Sequence, residues 1–419
     1  MSRTSLGPKD WESNRHQTAI GRSNLSFPAR QALTDGLLAL GTDILDFGCG
    51  RGQDVQRLKD EGFEISGWDP HYFPETPLRQ SDSVLLSYVL NVIEDPIERK
   101  HTLHEAWMLA RSHLIVSARL TWDASRVHGA AQSDGLRTSR GTFQHLFHPR
   151  ELRELVESVT QAPCIVGAPG VVYAFRDDQV RMRYLARKVL PEFAWGEEAE
   201  YASLLESYVR FFETKGRAPV MEELPSSLVP KIQDVGSRRL ETASRRAVAD
   251  EALSDAVKRS TLNVLLYLGT EIFNGRSRLS DLPIELRIDI RKFFRSYREA
   301  VARADRLLLK LRDSSYVRAA MRGSVGKLTP SALYVHKRAI SDMPVVLRLY
   351  EHCGAIAAGR PTDFDVLKLH HDQHAVSWLG YQQFDKHPHP RLDWSYLVTF
   401  PDLESRFTDF SGRANRPLL

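Results

Sequence analysis

The chain has 419 residues, enough for two or three domains, and its apolar (42%) and charged (26%) fractions exclude a disordered or fibrous protein. Fifty-seven Lys and Arg residues against fifty-three Asp and Glu residues leave a formal net charge of only +4. This balance excludes a protein that grips nucleic acid over its whole surface, but it leaves room for a local nucleic-acid site.

The cysteines and the apolar segments bear on the cellular compartment of the protein. Its three cysteines are far apart in sequence and form no CxxC pair, so neither a disulfide framework nor a zinc knuckle is predicted, and a reducing cytoplasm is expected. The most apolar stretch, Leu262 to Phe273, is too short to span a bilayer and contains Asn263 and Glu271. It is therefore interpreted as a buried helix, and no membrane partner is predicted.

Strand and helix patterns alternate through the first 180 residues. A lead-in helix is predicted from Pro28 to Leu40, with Gly41 as its stop. The strands that follow are predicted at 43–47, 64–68, 83–86, 113–118, near 165 and at 171–175, and the helices at 53–61, 96–110 and 149–159. This alternation predicts an α/β fold: a Rossmann-like, mostly parallel, doubly wound sheet whose last two strands form an antiparallel edge hairpin.

Beyond residue 180 the strand patterns largely vanish and helical patterns take over. Long helices are predicted at 198–213, 241–273 and 283–312, and the last hundred residues are mixed. We therefore expect a domain at 1–180, a helical domain at 181–320 and a mixed C-terminal domain at 321–419. The sequence leaves the oligomeric state open.

The most specific pattern is a strand that runs directly into a glycine-rich turn and a helix. Its turn reads Gly48-Cys49-Gly50-Arg51-Gly52. A nucleoside cofactor lies across the carboxyl ends of the strands, so the backbone at Gly48 and Gly50 has to approach it closely. Asp69, followed by Pro70, stands at the end of the next predicted strand, where a carboxylate can accept both ribose hydroxyls.

Asp46 distinguishes between two cofactors that use this strand-turn-helix device. A dinucleotide places its pyrophosphate on the helix N-terminus, where an acidic neighbour would repel it. A sulfonium and an amino group are cationic and suit a carboxylate. The run Asp46-Phe47-Gly48-Cys49-Gly50 resembles the first motif of class I S-adenosylmethionine-dependent methyltransferases, and this resemblance implies S-adenosylmethionine as the cofactor.

A second segment, 81–95, resembles the fourth strand of the same superfamily and the loop that follows it. In such enzymes this loop touches the cofactor and faces the acceptor. Ser87 and Tyr88 are therefore candidate cofactor-binding residues, and Tyr88 and Asn91 are candidate catalytic residues. The alternative is a buried strand end whose polar residues satisfy backbone groups.

Methyl transfer is an in-line displacement that depends mainly on positioning, so the sequence points only weakly to a catalytic base. The segment from Leu136 to His148 follows the predicted strand at 113–118 and is expected to form a lid over the substrate, with His145 as a candidate proton acceptor. The alternative for His145 is a surface or interface histidine.

Further motifs sharpen the resemblance to one family, the DNA phosphorothioation-associated methyltransferases, over nearly the whole chain. They are 18–23, 67–70, 88–95, 138–143, 328–336 and 385–390. The resemblance implies a methyltransferase fold and points to DNA as a partner.

Two features downstream bear on partners. Residues 215–224 and 235–239 resemble small helix-turn-helix modules, in which Arg238, Arg239, Arg245 and Arg246 would contact phosphates. A solvated, ion-paired helix face is the alternative. Five histidines between 370 and 389 raise the question of a metal, but their spacing lacks a partner set, and no metal site is predicted.

Three hypotheses remain open. The first is a methyltransferase for a nucleic-acid-related acceptor linked to DNA phosphorothioation or defence. The second is a methyltransferase that tailors a small molecule, which the loop Val89-Leu-Asn-Val-Ile93 favours. The third is a non-catalytic module that senses the cofactor.

Overall fold

The computed structural model describes residues 12–19, 21–190, 193–195 and 201–418. By their contacts, residues up to 181 form one compact unit with 324–342 and 350–419, and residues 182–323 form a second unit with 343–349. The two predicted boundaries between the three domains stay predictions. Within the described part of the chain, no helix is both long enough and apolar enough to cross a membrane.

The first unit contains the predicted alternation of strands and helices. Its helices are α1 (Phe27–Thr34), α2 (Gln53–Asp60), α3 (Pro96–Leu109) and α4 (Pro149–Thr160). Its strands are β1 (Ile44–Phe47), β2 (Ile65–Trp68), β3 (Ser81–Ser87), β4 (Ala110–Ser117), β5 (Gly129–Gln132), β6 (Gly135–Thr138), β7 (Phe143–Gln144), β8 (Cys164–Ala168) and β9 (Val171–Phe175).

Six of these strands form one mixed sheet in the order β2-β1-β3-β4-β9-β8. The first four are parallel, whereas β9 runs antiparallel to both β4 and β8. The predicted fold class, a doubly wound, mostly parallel sheet with an antiparallel edge hairpin, is confirmed. Because β1, β2 and β3 are parallel neighbours, their carboxyl ends meet at one edge, where ligands bind in such sheets.

The lead-in helix is shorter than predicted. It starts at Phe27 because Ser26 caps it, and it ends at Thr34 instead of Leu40. Gly36 adopts a φ of 68° and the N–H of Leu37 donates to the carbonyl of Ala32, so a glycine C-cap closes the helix nearly two turns early. The apolar residues after Gly36 continued the helical periodicity and concealed this stop.

The second unit is helical. It contains the end of α5 (Asp178–Val189), then α6 (Tyr201–Lys215), α7 (Val229–Val235), α8 (Ser237–Ala247), α9 (Asp250–Glu271), α10 (Ile284–Phe293), α11 (Tyr297–Lys310) and α12 (Ser314–Arg322), and the start of α13 (Val345–Ala358). The predicted start of α6 at Glu198 lies outside the described residues. Residues 263–271 of α9 are buried, so most of the predicted buried helix is confirmed, whereas Leu262, Ile272 and Phe273 at its ends are exposed.

Two helices predicted as continuous are each broken in two. The segment 241–273 divides at Val248, whose side chain is buried and whose backbone is extended. The segment 283–312 divides before Ser296, whose hydroxyl accepts from the N–H of Glu299 while the Glu299 carboxylate accepts from the N–H of Arg295. Ser296 and Glu299 form a capping motif that was visible in the sequence.

The C-terminal part, predicted only as mixed, is an antiparallel sheet. Its order is β10 (Lys327–Leu328), β11 (Ala332–His336), β12 (Val366–His370), β13 (Ala375–Tyr381), β14 (Leu392–Thr399) and β15 (Ser405–Asp409). It belongs to the same compact unit as the Rossmann-like sheet, and Trp122 packs edge-on against Tyr396 of β14 with ring centroids 5.2 Å apart.

Candidate active site

The glycine turn lies between the ends of β1 and β2. Gly48, Gly50 and Gly52 all have positive φ values of 87°, 54° and 72°, which L side chains rarely adopt. The amides of Gly48 and Cys49 donate to the carbonyl of Trp68 over 2.8 and 3.1 Å. A Cβ on Gly48 would come within 2.4 Å of the Val89 side chain, so the turn is packed directly against the loop after β3.

The turn lines a cavity of about 610 Å³, which we call the turn cavity. Eight of the nine predicted cofactor-binding residues line it: Phe47, Gly48, Cys49, Gly50, Asp69, Pro70, Ser87 and Tyr88. The ring of Phe47 stacks on Trp68 at a centroid distance of 4.7 Å and gives the cavity an aromatic wall. The volume is in the range of cofactor sites.

Asp46, the ninth predicted residue, lies beneath the turn, outside the lining of the turn cavity. It is only 4% exposed, and its Oδ1 has no hydrogen-bond partner among the described residues. Burial and the nearby Asp54 raise the pKa of its carboxyl to about 8, against the opposing charge of Arg22. A buried carboxylate without a partner is costly, and a bound cation would relieve that cost.

The carboxylate of Asp69 already accepts several backbone hydrogen bonds, which the sequence did not indicate. Its Oδ1 accepts from the amides of His71 (2.9 Å) and Tyr72 (3.0 Å), and its Oδ2 accepts from the amide of Gly50 (3.0 Å). A carboxylate has about four acceptor positions, so about one remains on Oδ2 for a ligand. Asp69 therefore fixes the turn and the loop after β2 to each other.

A second cavity of about 890 Å³ adjoins the first, and we call it the hairpin cavity because the β6–β7 hairpin lines it. Thr138, Ser139, Arg140, Thr142 and Gln144 contribute from the hairpin, where the sequence predicted a lid. The two cavities share four lining residues: Thr18, Arg22, Tyr88 and Val92.

Tyr88 lies where the cavities meet and has a strained backbone. Its φ is 61°, in the left-handed region, and its amide donates to the carbonyl of Ser117 at the end of β4. Such strain in a bulky residue persists only where the surroundings enforce it, and it clusters at functional sites. The guanidinium of Arg22 lies 5.4 Å from the centroid of the Tyr88 ring. The structure therefore brings Tyr88 to the predicted position.

Asn91 lines the hairpin cavity but has its amide committed to backbone groups. Its Oδ1 accepts from the amide of Arg119 (2.8 Å), and its Nδ2 donates to the carbonyl of His145 (2.6 Å). It is 1% exposed. These bonds tie the loop after β3 to the loop after β4 and to the end of the hairpin, so Asn91 shapes the site.

His145 is not brought to either cavity. Its Nδ1 is 2.7 Å from the carbonyl oxygen of Asp134, its Nε2 is 2.9 Å from Oε1 of Glu151, and the residue is buried. With both ring nitrogens engaged, the candidate proton acceptor is instead a histidine that holds the hairpin against α4. Asp123 and His128 line the hairpin cavity and are the proton-accepting side chains found there; the sequence analysis did not identify either.

Sequence reasoning also missed the segment before α1, which we call the N-terminal strap (residues 12–19 and 21–26). Arg15 pairs with Glu94 and Glu98, each at 2.5 Å, and the ring of His16 stacks on His71 at 4.1 Å. The strap lines both cavities through Thr18 and Arg22. Its only sequence signal was the motif at 18–23, of which residue 20 lies outside the described residues.

No protein-family profile matches the chain, and no curated protein matches it. Among solved structures, it is similar to Burkholderia thailandensis 1,6-didemethyltoxoflavin-N1-methyltransferase, solved with S-adenosylhomocysteine, at 17% identity and a TM-score of 0.30, over 40% of this chain and 86% of that one.

Two further solved structures are similar at the same level. Magnesium protoporphyrin IX methyltransferase from Synechocystis, with bound cofactor, has 15% identity and a TM-score of 0.25 over 40% of this chain and 92% of that one. A Methanosarcina mazei S-adenosylmethionine-dependent methyltransferase has 16% identity and a TM-score of 0.27 over 36% and 97%. Likeness this weak does not establish an activity, so the function is inferred from the site.

The bonding of Asn91 leads to a test of its role. Asn91→Ala leaves the buried amide of Arg119 without its side-chain acceptor and the carbonyl of His145 without a donor. We expect the free energy of unfolding, measured in urea, to fall by about 2 to 3 kcal/mol. Asn24→Ala, at an exposed residue of the same cavity, should change it by less than about 0.5 kcal/mol. Equal stability of the Asn91 variant and wild type would contradict a structural role.

Proposed function

We propose that the chain is an S-adenosylmethionine-dependent methyltransferase that holds its cofactor in the turn cavity and its acceptor in the hairpin cavity. The observation that carries the proposal is the orphaned carboxylate oxygen of Asp46, buried beneath a glycine turn that lines a nucleoside-sized cavity. A pyrophosphate would disfavour ionisation of this carboxyl, whereas a sulfonium or an amino group supplies the positive charge that stabilises the carboxylate.

The residues present fit this cofactor. The positive-φ glycines leave backbone in place of side chains, Phe47 and Trp68 offer an aromatic wall, and Oδ2 of Asp69 keeps room for a hydroxyl donor. When bound, S-adenosylmethionine supplies an electrophilic methyl group. Tyr88 then stands at the passage between donor and acceptor, where in-line geometry has to be enforced. Asp123 and His128 are placed to accept a proton that an acceptor releases.

The proposed function also includes the chemical class of the methyl acceptor. We infer a nucleic-acid-related acceptor linked to DNA phosphorothioation, which is supported by the motifs shared with that family and by the helical unit. There, α7 and α8 are joined at Gly236, whose φ is 91°, and the exposed Arg238 and Arg239 lie at the start of α8. A helix-turn-helix presents its second helix to DNA in this manner.

The basic residues at the start of the predicted helix-turn-helix segment, 215–224, do not support DNA binding. Lys215 is buried, and Arg217 is 3% exposed and forms ion pairs with Glu223 (2.6 Å) and Asp289 (2.5 Å). The loop after β3, 89–93, favours the second candidate, a methyltransferase for a small molecule. The described residues contain no group of three or more His, Cys, Asp or Glu side chains that could hold a metal.

Asp69 tests the cofactor assignment. Calorimetry with S-adenosylhomocysteine should show Asp69→Ala binding more weakly by about 1.5 to 3 kcal/mol, the range for charge-assisted hydrogen bonds. Asp69→Asn keeps an acceptor for the amides of His71 and Tyr72 but loses the charge, and should also weaken binding. Asp60→Ala, at the exposed end of α2, is the control. Unchanged affinity in both Asp69 variants would place the cofactor elsewhere.

Asp46 gives a pH test of the same site. With a pKa of about 8, the carboxyl is mostly protonated at pH 7 in the ligand-free protein. A cationic ligand favours the carboxylate, so the folded pKa falls on binding and a proton is released. Affinity for S-adenosylmethionine should therefore rise between about pH 6 and 8, by up to about tenfold per unit, and level off above that range.

Asp46→Asn is the matched variant that isolates the contribution of Asp46 to the pH dependence of affinity. Asp46→Asn cannot titrate, so any remaining pH dependence between pH 6 and 8 belongs to the cofactor or to other groups. S-adenosylhomocysteine lacks the sulfonium charge and should show a smaller slope with wild type. Isothermal titration in two buffers of different ionisation enthalpy counts the released protons. The same slope and proton count in wild type and variant would show that Asp46 does not sense the ligand.

The nucleic-acid hypothesis has its own test in the helical unit. Reversing charge at Arg238 and Arg239 should weaken duplex binding and flatten the dependence of log affinity on log salt by close to one unit per lost phosphate contact. Cofactor affinity should stay the same. Lys258→Glu, at an exposed residue of α9, is the control. If wild type binds neither duplex nor single strands at low salt, the small-molecule hypothesis replaces this one.

A further inference from the structure

The residues that line the hairpin cavity carry an excess of positive charge. Four arginines line it, Arg22, Arg30, Arg119 and Arg140, and the only carboxylate among the lining residues is that of Asp123. The chain as a whole carries a net charge of only +4. The excess of positive charge is therefore a local property of this cavity.

The four guanidinium groups come from separate parts of the fold. Arg22 belongs to the N-terminal strap, Arg30 to α1, Arg119 to the loop after β4, and Arg140 to the turn between β6 and β7. Four independent segments converge on one cavity, which a solvated helix face or a run of basic sequence would not produce. Like charges gathered in this way repel one another, and a bound anion would relieve that repulsion.

None of these guanidinium groups has an ion pair or a side-chain hydrogen bond with any described residue. The guanidinium of Arg22 lies over the face of the Tyr88 ring, and its charge also acts on Asp46. The paired arginines elsewhere contrast with them: Arg15, Arg99, Arg111 and Arg217 all contact carboxylates. The acid of the cavity, Asp123, accepts instead from the backbone amide of Leu120 at 3.3 Å. The cavity thus presents unneutralised donors to a ligand.

We propose that the hairpin cavity binds the methyl acceptor through a phosphate group. The inference rests on the proposed function, because it assigns the acceptor to the cavity that meets the turn cavity at Tyr88. Guanidinium forks match both carboxylates and phosphates, but a terminal phosphate has three oxygens and up to two charges and can satisfy several arginines at once. A volume of about 890 Å³ accommodates a nucleotide-sized group.

The test uses the full chain saturated with S-adenosylhomocysteine, so that nucleotides cannot enter the turn cavity. The probes are inorganic phosphate, cytidine 5′-monophosphate, cytidine, citrate and a single-stranded 12-mer without terminal phosphates. We expect the monophosphate to bind at least about tenfold more tightly than cytidine, because it gains charge-assisted hydrogen bonds. Tight binding of the 12-mer would identify phosphodiesters as the source of the phosphate.

Matched variants locate the binding. Arg119→Gln combined with Arg140→Gln should lower the affinity for the monophosphate by about tenfold or more. The affinity for S-adenosylhomocysteine should stay unchanged, which also shows that the variant is folded. Arg137→Gln lies on the same hairpin, is exposed and does not line the cavity, and should stay within about twofold of wild type.

Several results would overturn the proposal. One is equal affinity for cytidine and its monophosphate, and another is no binding of any phosphate probe. Tighter binding of citrate than of the phosphates would also overturn it, as would an equal loss of monophosphate affinity in the Arg137 variant and the Arg119/Arg140 variant. Failure of wild type to bind S-adenosylhomocysteine would instead contradict the proposed function. The phosphate titrations, repeated without it, would still test the cavity.

Discussion

The burial of one carboxylate at the end of β1 is the constraint on which the site depends. Asp46 pairs in register with Gly67 of β2 and Leu85 of β3, so its backbone is held from both sides while its side chain lies among buried groups. Burial raises the pKa of this carboxyl to about 8, and its Oδ1 has no hydrogen-bond partner within the described residues. The glycine turn above it brings backbone, and not side chains, close to that carboxyl.

Local patterns allowed much of the first unit to be predicted. Strand-turn-helix order, the glycine spacing and the acidic residue after β2 all involve neighbours in sequence, and each is confirmed within a few residues at its boundaries. The exceptions have local causes as well. Gly36 stops α1 early, and Ser296 starts α11 anew, because a single capping residue outweighs continued apolar periodicity.

What the sequence did not show depends on contacts between distant segments. The N-terminal strap reaches both cavities through the ion pairs of Arg15 with Glu94 and Glu98, about eighty positions away. His145 looked available because a histidine in a predicted lid is a common base. Its two partners, Asp134 and Glu151, lie on either side of it in sequence, and only the hairpin and α4 bring them together.

The arginines show why composition cannot assign a role to a charge. In the sequence, Arg217 and Arg140 are equivalent basic residues in polar segments. In the structure, Arg217 is buried between two carboxylates, and its removal would leave both of them buried without their ion-pair partner. Arg140 is exposed at a cavity and faces no carboxylate partner among the described residues. The proposed phosphate site depends on such unneutralised charges, which come together in the lining of the hairpin cavity.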